Sequence, residues 1–357
     1  MNRIGLLLIA ACMSGFSEAN AQDIHFSQFY QAPLQLNPAL TGVMNCNQRV
    51  SANYRNQWAS VLRDKAFNTG NFSYDQRVPV GRYDYMGFGG SLWDDRAGSL
   101  ALHLTQIHGN FSYSKRMGGG RYRSSASYLV MGVDVGIAQR GIDYAQARWG
   151  NQNLNGTYDP SAQSGETTIF TRDQYIYPEV GAGLMWFSVI DRNTNWFIGG
   201  AYHHINRANQ SFTGDKFIGL YSKFTIHAGG EFRMADRIGL IPGAVLLLQG
   251  PSLQTNLGTS LKFLLGSTKT TEEAIQFGLW ARLVNKTAAD NKTSGGILMD
   301  ALIASTKFDY NQFSIGFSYD LNVSSLAPAS HSNGGFEFSL LYKICGRESR
   351  DVYCPNF

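Results

Sequence analysis

His203 and His204 stand side by side, and paired histidines invite a metal-site reading. The residues before them alternate as a strand does, and successive strand side chains point to opposite faces. The two rings are therefore not expected to reach one ion, and one of them is expected to face inward. His103 and His108 have no carboxylate near them at metal-ligand spacing and read as polar strand residues. Gly87-Phe88-Gly89-Gly90 resembles the start of a phosphate-binding loop, but it lies inside an alternating segment and lacks the helix whose N-terminus would hold the phosphate. A hydrolase set of Ser314 or Ser318 with His227 and Asp320 is arithmetically available. Nothing in their spacing selects it, since serines are expected on the polar face of a membrane strand because they are small. Cys46, Cys345 and Cys354 show no C-x-x-C spacing for zinc. The expectation is a protein that is no enzyme and carries no cofactor or metal.

The elements that position these residues announce themselves by a two-residue period. From Phe313 the odd positions are Phe313, Ile315, Phe317, Tyr319, Leu321 and Val323, and between them lie Ser314, Gly316, Ser318, Asp320 and Asn322. One face is apolar and the other small or polar. Phe336 to Tyr342, Leu129 to Ile137, and Val50, Ala52 and Tyr54 repeat the pattern. On the segment from Leu220, Phe224, Ile226 and Ala228 alternate with Lys223, Thr225, His227, Gly229 and Glu231, so charges share the face away from lipid. About fourteen such segments begin near Asn47, Ala66, Tyr83, His103, Ser124, Tyr175, Asn195, Leu220, Ile238, Thr255, Ala274, Leu298, Asn311 and Gly334. The expected fold is all-β: one antiparallel transmembrane barrel over residues 46–345, with an even strand number, short periplasmic turns and longer outer loops. Asp191 to Thr194, Ala235 to Arg237 and Asp309 to Tyr310 read as tight periplasmic turns. Gly141 to Gln174, Arg207 to Gly219, Asn285 to Ile297 and Ser325 to Asn333 read as outer loops. A secreted β-sandwich would explain the alternation but not this asymmetry.

Composition agrees with a barrel, since only 16% of residues are charged while aromatics reach 13% and glycines number 39. No stretch approaches the roughly 20 apolar residues of a membrane helix; the nearest, Ile238 to Leu248, contains Pro242. The net charge of +4 is scattered and gives no support to nucleic-acid binding. Arg3, the apolar run Ile4 to Ala11 and the A-x-A site Ala19-Asn20-Ala21 read as a cleaved signal over residues 1–21. Ile9-Ala10-Ala11-Cys12 offers the rival reading of a lipobox. Residues 22–45 are too polar for a membrane strand, and either trail as a leader or tuck into the barrel with Phe26, Phe29, Tyr30, Pro33 and Leu36. In an oxidising compartment one disulfide and one free thiol are expected. Closure of the barrel brings Cys46 and Cys345 to the periplasmic rim, and a pairing of Cys46 with Cys354 is favoured narrowly over Cys345 with Cys354, because it would pin the polar tail 346–357.

Along nearly the whole mature chain the sequence resembles the PorP/SprF family of Bacteroidota outer-membrane proteins, associated with type IX secretion and gliding motility. The resemblance rests on Asp23-Ile24-His25-Phe26-Ser27-Gln28-Phe29-Tyr30, Leu36-Asn37-Pro38-Ala39 and Tyr54-Arg55-Asn56-Gln57-Trp58. It continues through His204-Ile205-Asn206, Asn209-Gln210-Ser211-Phe212, His227-Ala228-Gly229, Ile315 to Asp320 with Asn322, and the closing Gly335 to Leu340, Cys354-Pro355 and Phe357. Phe29, Tyr30, Asn37, Pro38, Arg55, Trp58, His204, Asn209, His227, Tyr319, Asp320 and Asn322 are thereby partner or structural candidates. The resemblance implies a barrel that docks a secreted protein, such as a large adhesin with a C-terminal sorting domain, and helps deliver or retain it at the surface. Some members instead serve the secretion apparatus and its peptidoglycan-linked periplasmic components. A passive channel or a transporter of small hydrophobic molecules is the rival function. The family brings no catalytic residues, and here the last alternating segment ends near Ile344, so the polar tail departs from a terminal membrane strand.

Overall fold

The structure is a computed structural model that describes Asp23 and residues 25–98, 100–118, 125–144, 147, 150–154, 157–159, 161–163, 173–191, 194–212, 217–267, 272–285 and 296–346. Residues 1–22 with Cys12, where a cleaved signal is expected, and Cys354 with nearly all of residues 346–357, lie outside the described residues.

Fourteen strands close on themselves in antiparallel order. They are β1 (Gln48–Gln57), β2 (Phe67–Val80), β3 (Asp84–Ala97), β4 (Leu102–Gly118), β5 (Ala126–Gly141), β8 (Gln174–Asp191), β9 (Thr194–His203), β10 (Lys223–Ala235), β11 (Ile238–Gln249), β12 (Ser252–Ser267), β13 (Glu272–Asn285), β14 (Ile297–Tyr310), β15 (Phe313–Asn322) and β16 (Asn333–Ile344). Two short strands, β6 (Asn153–Leu154) and β7 (Thr157–Tyr158), pair inside the loop between β5 and β8. Closure leaves no strand edge with unpaired amides, which a bilayer would not tolerate. No helix among the described residues is long and apolar enough to cross a membrane.

The alternation maps onto two faces as expected. Phe313, Ile315, Phe317 and Leu321 are exposed on the outer wall, whereas Ser314, Ser318, Asp320 and Asn322 are buried inside. His227 and Glu231 are likewise buried on the inner face of β10. At the end carrying Cys46 the connections are short, at 81–83, 192–193, 236–237 and 311–312. At the opposite end run the longer loops 58–66, 204–222 and 323–332, with short exceptions at 98–101 and Gly250-Pro251. The first end is therefore the periplasmic one. The expected turn at Asp309 to Tyr310 falls instead at Asn311-Gln312. Tyr310 still pairs with Phe313, and Asn311 takes the left-handed conformation (φ 53°), which asparagine tolerates better than most residues.

The seam corrects the expected disulfide. β1 pairs with β16 from Gln48 opposite Ile344 to Gln57 opposite Gly335, and the amide of Asn47 donates to the Ile344 carbonyl. This register places Cys345 opposite Asn47 and so within one residue of Cys46; the two cysteines, with Cα atoms 4.3 Å apart, are bonded to each other, not either one to Cys354. Non-reduced peptide mapping should recover Cys46 linked to Cys345, and a Cys46 to Cys354 link would contradict the seam register. On the outer wall, Phe317→Arg should cost about 2–4 kcal/mol of folding stability in bilayers, measured by denaturant titration. A neutral effect would mean that this face does not meet lipid.

Candidate functional site

The functional interior is built by residues 25–46, which run through the lumen against the inner wall. Two prolines and the absence of an alternating pattern keep this segment out of the sheet. It folds as short turns, Phe29–Gln31, Pro33–Leu36 and Pro38–Leu40, each started or stopped by a proline or by Asn37, whose side chain accepts from the Ala39 amide. These turns satisfy about half of the segment's own amides, so the wall must supply partners for the rest.

The wall does so along its whole height. Towards the outer end, Glu337 accepts from the amides of Ser27 and Gln28 (2.8 Å for Gln28), and the Ser27 hydroxyl donates to Asp320 at 2.8 Å. Asp320 is in turn clasped by Arg55 at 3.1 Å and Arg282 at 2.6 Å, and Arg55 reaches Glu337 at 3.2 Å. Arg55 also donates to the His25 carbonyl. Midway, Ser51 donates to the Gln31 carbonyl at 2.9 Å. The Asn37 amide donates to the carbonyls of Leu184 and Gly200, and lies 3.0 Å from Nε2 of His227. Near the periplasmic end, Asp75 accepts from the Gly42 amide at 2.7 Å and from Arg49 at 2.8 Å. Arg49 also holds the Leu40 carbonyl, Ser112 the Thr41 carbonyl, and Arg77 the Met44 carbonyl. All these wall groups are buried.

Apolar contacts add to this. Leu40, Val43 and Ala39 are buried against Tyr85, Tyr128, Val130, Met185, Phe187 and Val189 from β3, β5 and β8, which makes a core inside the periplasmic half of the barrel. Burial of each large side chain contributes roughly 1.5–3 kcal/mol. Phe29 and Tyr30 pack against Trp280 with ring centroids 5.7 and 5.6 Å away. The fit is close enough to demand glycine on the wall: a Cβ on Gly183 would lie 1.9 Å from Asn37 Oδ1, and one on Gly132 would lie 2.3 Å from the Ala39 nitrogen. Gly87 serves the same end, since its Cβ would lie 2.2 Å from the Thr41 carbonyl oxygen. The Gly87-Phe88-Gly89-Gly90 stretch is thus a track for the inner segment and no phosphate loop.

A second cluster lies beside Asp23. His204 has Asp23 at 2.6 Å on one nitrogen and Glu179 at 3.0 Å on the other, while His108 lies between Asp134 at 2.8 Å and Glu179 at 3.0 Å. Lys223 reaches Asp23 at 3.2 Å. His203 Nδ1 is 3.9 Å from Asp134, so both adjacent histidines turn inward, against the expectation from alternation. The cause is local: β9 ends at His203, and His204 takes a left-handed conformation (φ 55°) that breaks the two-residue period. The described residues form no cluster of three ligands placed to hold a metal.

Of the residues singled out in the sequence, the structure brings together Arg55 with Asp320 and Asn37 with His227. It does not assemble the hydrolase set: Ser318 meets Gln28, Ser314 meets Asp309, and Asp320 is taken by two arginines. Trp58 and Tyr319 sit by the outer end of the seam, with the Trp58 amide donating to the Gly334 carbonyl and the Tyr319 hydroxyl to Asn333. Asn322 holds Ser330 and Ser324, and Asn209 organises its own loop by accepting from Ser211 and Ile218. Glu337, Arg282, Glu179 and Asp134 were not singled out, and His108, read as a polar strand residue without a carboxylate near, lies between two, because these partners are tens to hundreds of residues away and leave no local spacing.

Residues 18–342 match the model of the family described as type IX secretion system membrane protein PorP/SprF. No curated protein matches the chain. Among solved structures, it is similar to CdiB from Escherichia coli (11% identity, TM-score 0.44, covering 82% of this chain and 63% of that one). It is also similar to the CymD monoaromatic hydrocarbon channel (12% identity, TM-score 0.43, covering 92% and 96%) and to a TodX monoaromatic hydrocarbon channel deltaS2 mutant (11%, 0.42, 87% and 92%). The chain therefore spans less than two thirds of the length of that CdiB. The chain belongs to the PorP/SprF family and is an outer-membrane barrel of type IX secretion.

If the inner segment is held as described, Gly183→Val and Gly132→Val should displace it while the barrel still closes. In planar bilayers their ion conductance should exceed that of the wild type, with heat-modifiable migration retained. Conductance equal to wild type in a folded variant would argue against the tight seat of Asn37 and Ala39.

Proposed function

We propose, from its membership of the PorP/SprF family, that this barrel docks a secreted type IX substrate and helps deliver it or hold it at the cell surface. The substrate class is a large protein such as an adhesin with a C-terminal sorting domain. The reading is non-enzymatic. The observation that carries it is the occupied lumen: residues 25–46 are bonded to the wall from the outer half to the periplasmic rim. Such an interior suits a binding platform better than an open conduit, and leaves the outer loops as the contact surface. The loop between β5 and β8, which carries the β6–β7 hairpin, is the largest of these. Loops on a rigid scaffold are the usual place for recognition.

Affinity purification of the barrel from its own outer membrane, with mass spectrometry, should recover one large secreted protein in near-stoichiometric amount. Replacing residues 150–163 by a short Gly-Ser linker should reduce that recovery at least several-fold without loss of the barrel from the membrane. Recovery of periplasmic, peptidoglycan-linked components alone would favour the apparatus role, and solute uptake by proteoliposomes with no protein partner would favour the channel reading.

A further inference from the structure

Charge that is scattered in the sequence collects at one corner of the periplasmic rim. The turn between β2 and β3 is Gly81-Arg82-Tyr83, and β4 ends in Lys115, Arg116, Met117 and Gly118. Arg82 and Lys115 are distant in sequence, but β3 pairs with β4 so that Tyr85 faces Ser114, which brings that turn and that strand end together. The connection from β4 to β5 contributes Arg121 and Arg123 and no acid. The other short turns are balanced or neutral: Asp191 with Arg192, Asp236 with Arg237, and Asn311-Gln312.

One acid serves the whole corner. Asp84 accepts from the Lys115 ammonium at 2.7 Å and the Tyr113 hydroxyl at 2.9 Å on one oxygen, and from the Arg116 amide at 3.0 Å on the other. Lys115 keeps two of its three protons for another acceptor. The guanidiniums of Arg116 and Arg82 lie over the Tyr83 ring, at 4.5 and 5.4 Å from its centroid, which holds them at the rim. Among the described residues neither forms an ion pair, and Arg116 Nε donates to the Gly118 carbonyl at 3.3 Å. Three bases (Arg82, Lys115 and Arg116) against Asp84 leave a net charge of +2. The depth of the corner is that of lipid headgroups. Lys115, 58% exposed, continues the face of β4 that presents Ile107, Phe111 and Tyr113. A tyrosine followed by a basic residue at the end of a lipid-facing strand belongs at the bilayer interface.

We propose that this corner binds the headgroup phosphate of an anionic glycerophospholipid in the periplasmic leaflet. Lys115 and Arg82 hold the phosphate, Arg116 adds its charge and braces Tyr83, and the acyl chains lie on the outer wall of β3 and β4 against the Phe88 and Phe111 rings. The surplus positive charge selects an anionic lipid, since a zwitterionic head brings an ammonium for which Asp84, already filled on both oxygens, is no free acceptor. An acidic periplasmic protein fits less well, because Lys115 rises from the lipid-facing side. The site lies at the opposite end of the barrel from the outer loops and does not depend on the docking reading.

The full-length barrel, in nanodiscs of equal parts phosphatidylglycerol and phosphatidylcholine, is released for native mass spectrometry. Phosphatidylglycerol should remain bound, with at least one molecule per barrel, and phosphatidylcholine should not. Arg82→Gln and Lys115→Gln should each weaken retention about fivefold and the double variant about twentyfold, with heat-modifiable migration unchanged. Arg237→Gln, at a turn where Asp236 balances it, should retain the lipid as the wild type does. The headgroup preference of the wild type is read without any variant, so it decides the matter even where a variant fails to insert. Equal retention of phosphatidylcholine, full retention of phosphatidylglycerol by the folded double variant, or an equal loss in Arg237→Gln would each overturn the proposal. So would an acidic periplasmic protein that co-purifies in place of lipid and is released by the same two substitutions.

Discussion

A membrane barrel of this width faces a constraint that a small one escapes: its inner wall is polar, and it must find partners for those groups where side chains cannot meet across the lumen. Here the partner is the chain's own N-terminal segment. Asp320 and Glu337, paired with Arg55 and Arg282, also accept from the serine hydroxyl and amides of Ser27 and Gln28, and Asp75 joins Arg49 to the Gly42 amide. Conversely, the segment's turns bond about half of its own amides, and amides such as those of Ser27, Gln28 and Gly42 are bonded by the wall. Wall and segment each supply hydrogen-bond partners that the other buries.

The interior is mixed along its height. Towards the periplasm, Leu40 and Val43 lie in a packed core with the inward residues of β3, β5 and β8 that resembles the interior of a soluble domain. Buried ion pairs, Arg49 with Asp75 and Lys262 with Glu231, share that half, as Arg55, Arg282, Asp320 and Glu337 do the outer one. The Cys46 to Cys345 bond ties the base at the point where the segment enters the wall, so the seam and the segment share an anchor.

Much of the barrel was legible because two-residue alternation is a direct consequence of a wall with lipid on one side. Strand number, order and facing followed from it, and starts such as Ile238 coincide with the structure. Alternation is silent where both faces are apolar. In β5 the run Tyr128-Leu129-Val130-Met131 shows no polar side, and Tyr128 and Val130 turn inward to the core. It misleads where a left-handed residue interrupts it, as at His204. The disulfide was misjudged because the polar tail was given an anchor, whereas closure of the seam brings Cys46 within one residue of facing Cys345. The ion clusters were invisible for a simpler reason: Arg55 and Asp320 are 265 residues apart, and only barrel closure makes them neighbours.

The central claim is that residues 25–46 are an integral part of the folded interior. Hydrogen exchange by mass spectrometry on the barrel in nanodiscs tests this most directly, since amides bonded to buried wall groups exchange only when the structure opens. Peptides covering Ser27 to Met44 should be protected to a degree approaching that of the neighbouring strands, with Ser27, Gln28 and Gly42 among the slowest. Exchange of those peptides at the rate of an unstructured chain, while β1 and β16 stay protected, would contradict the account.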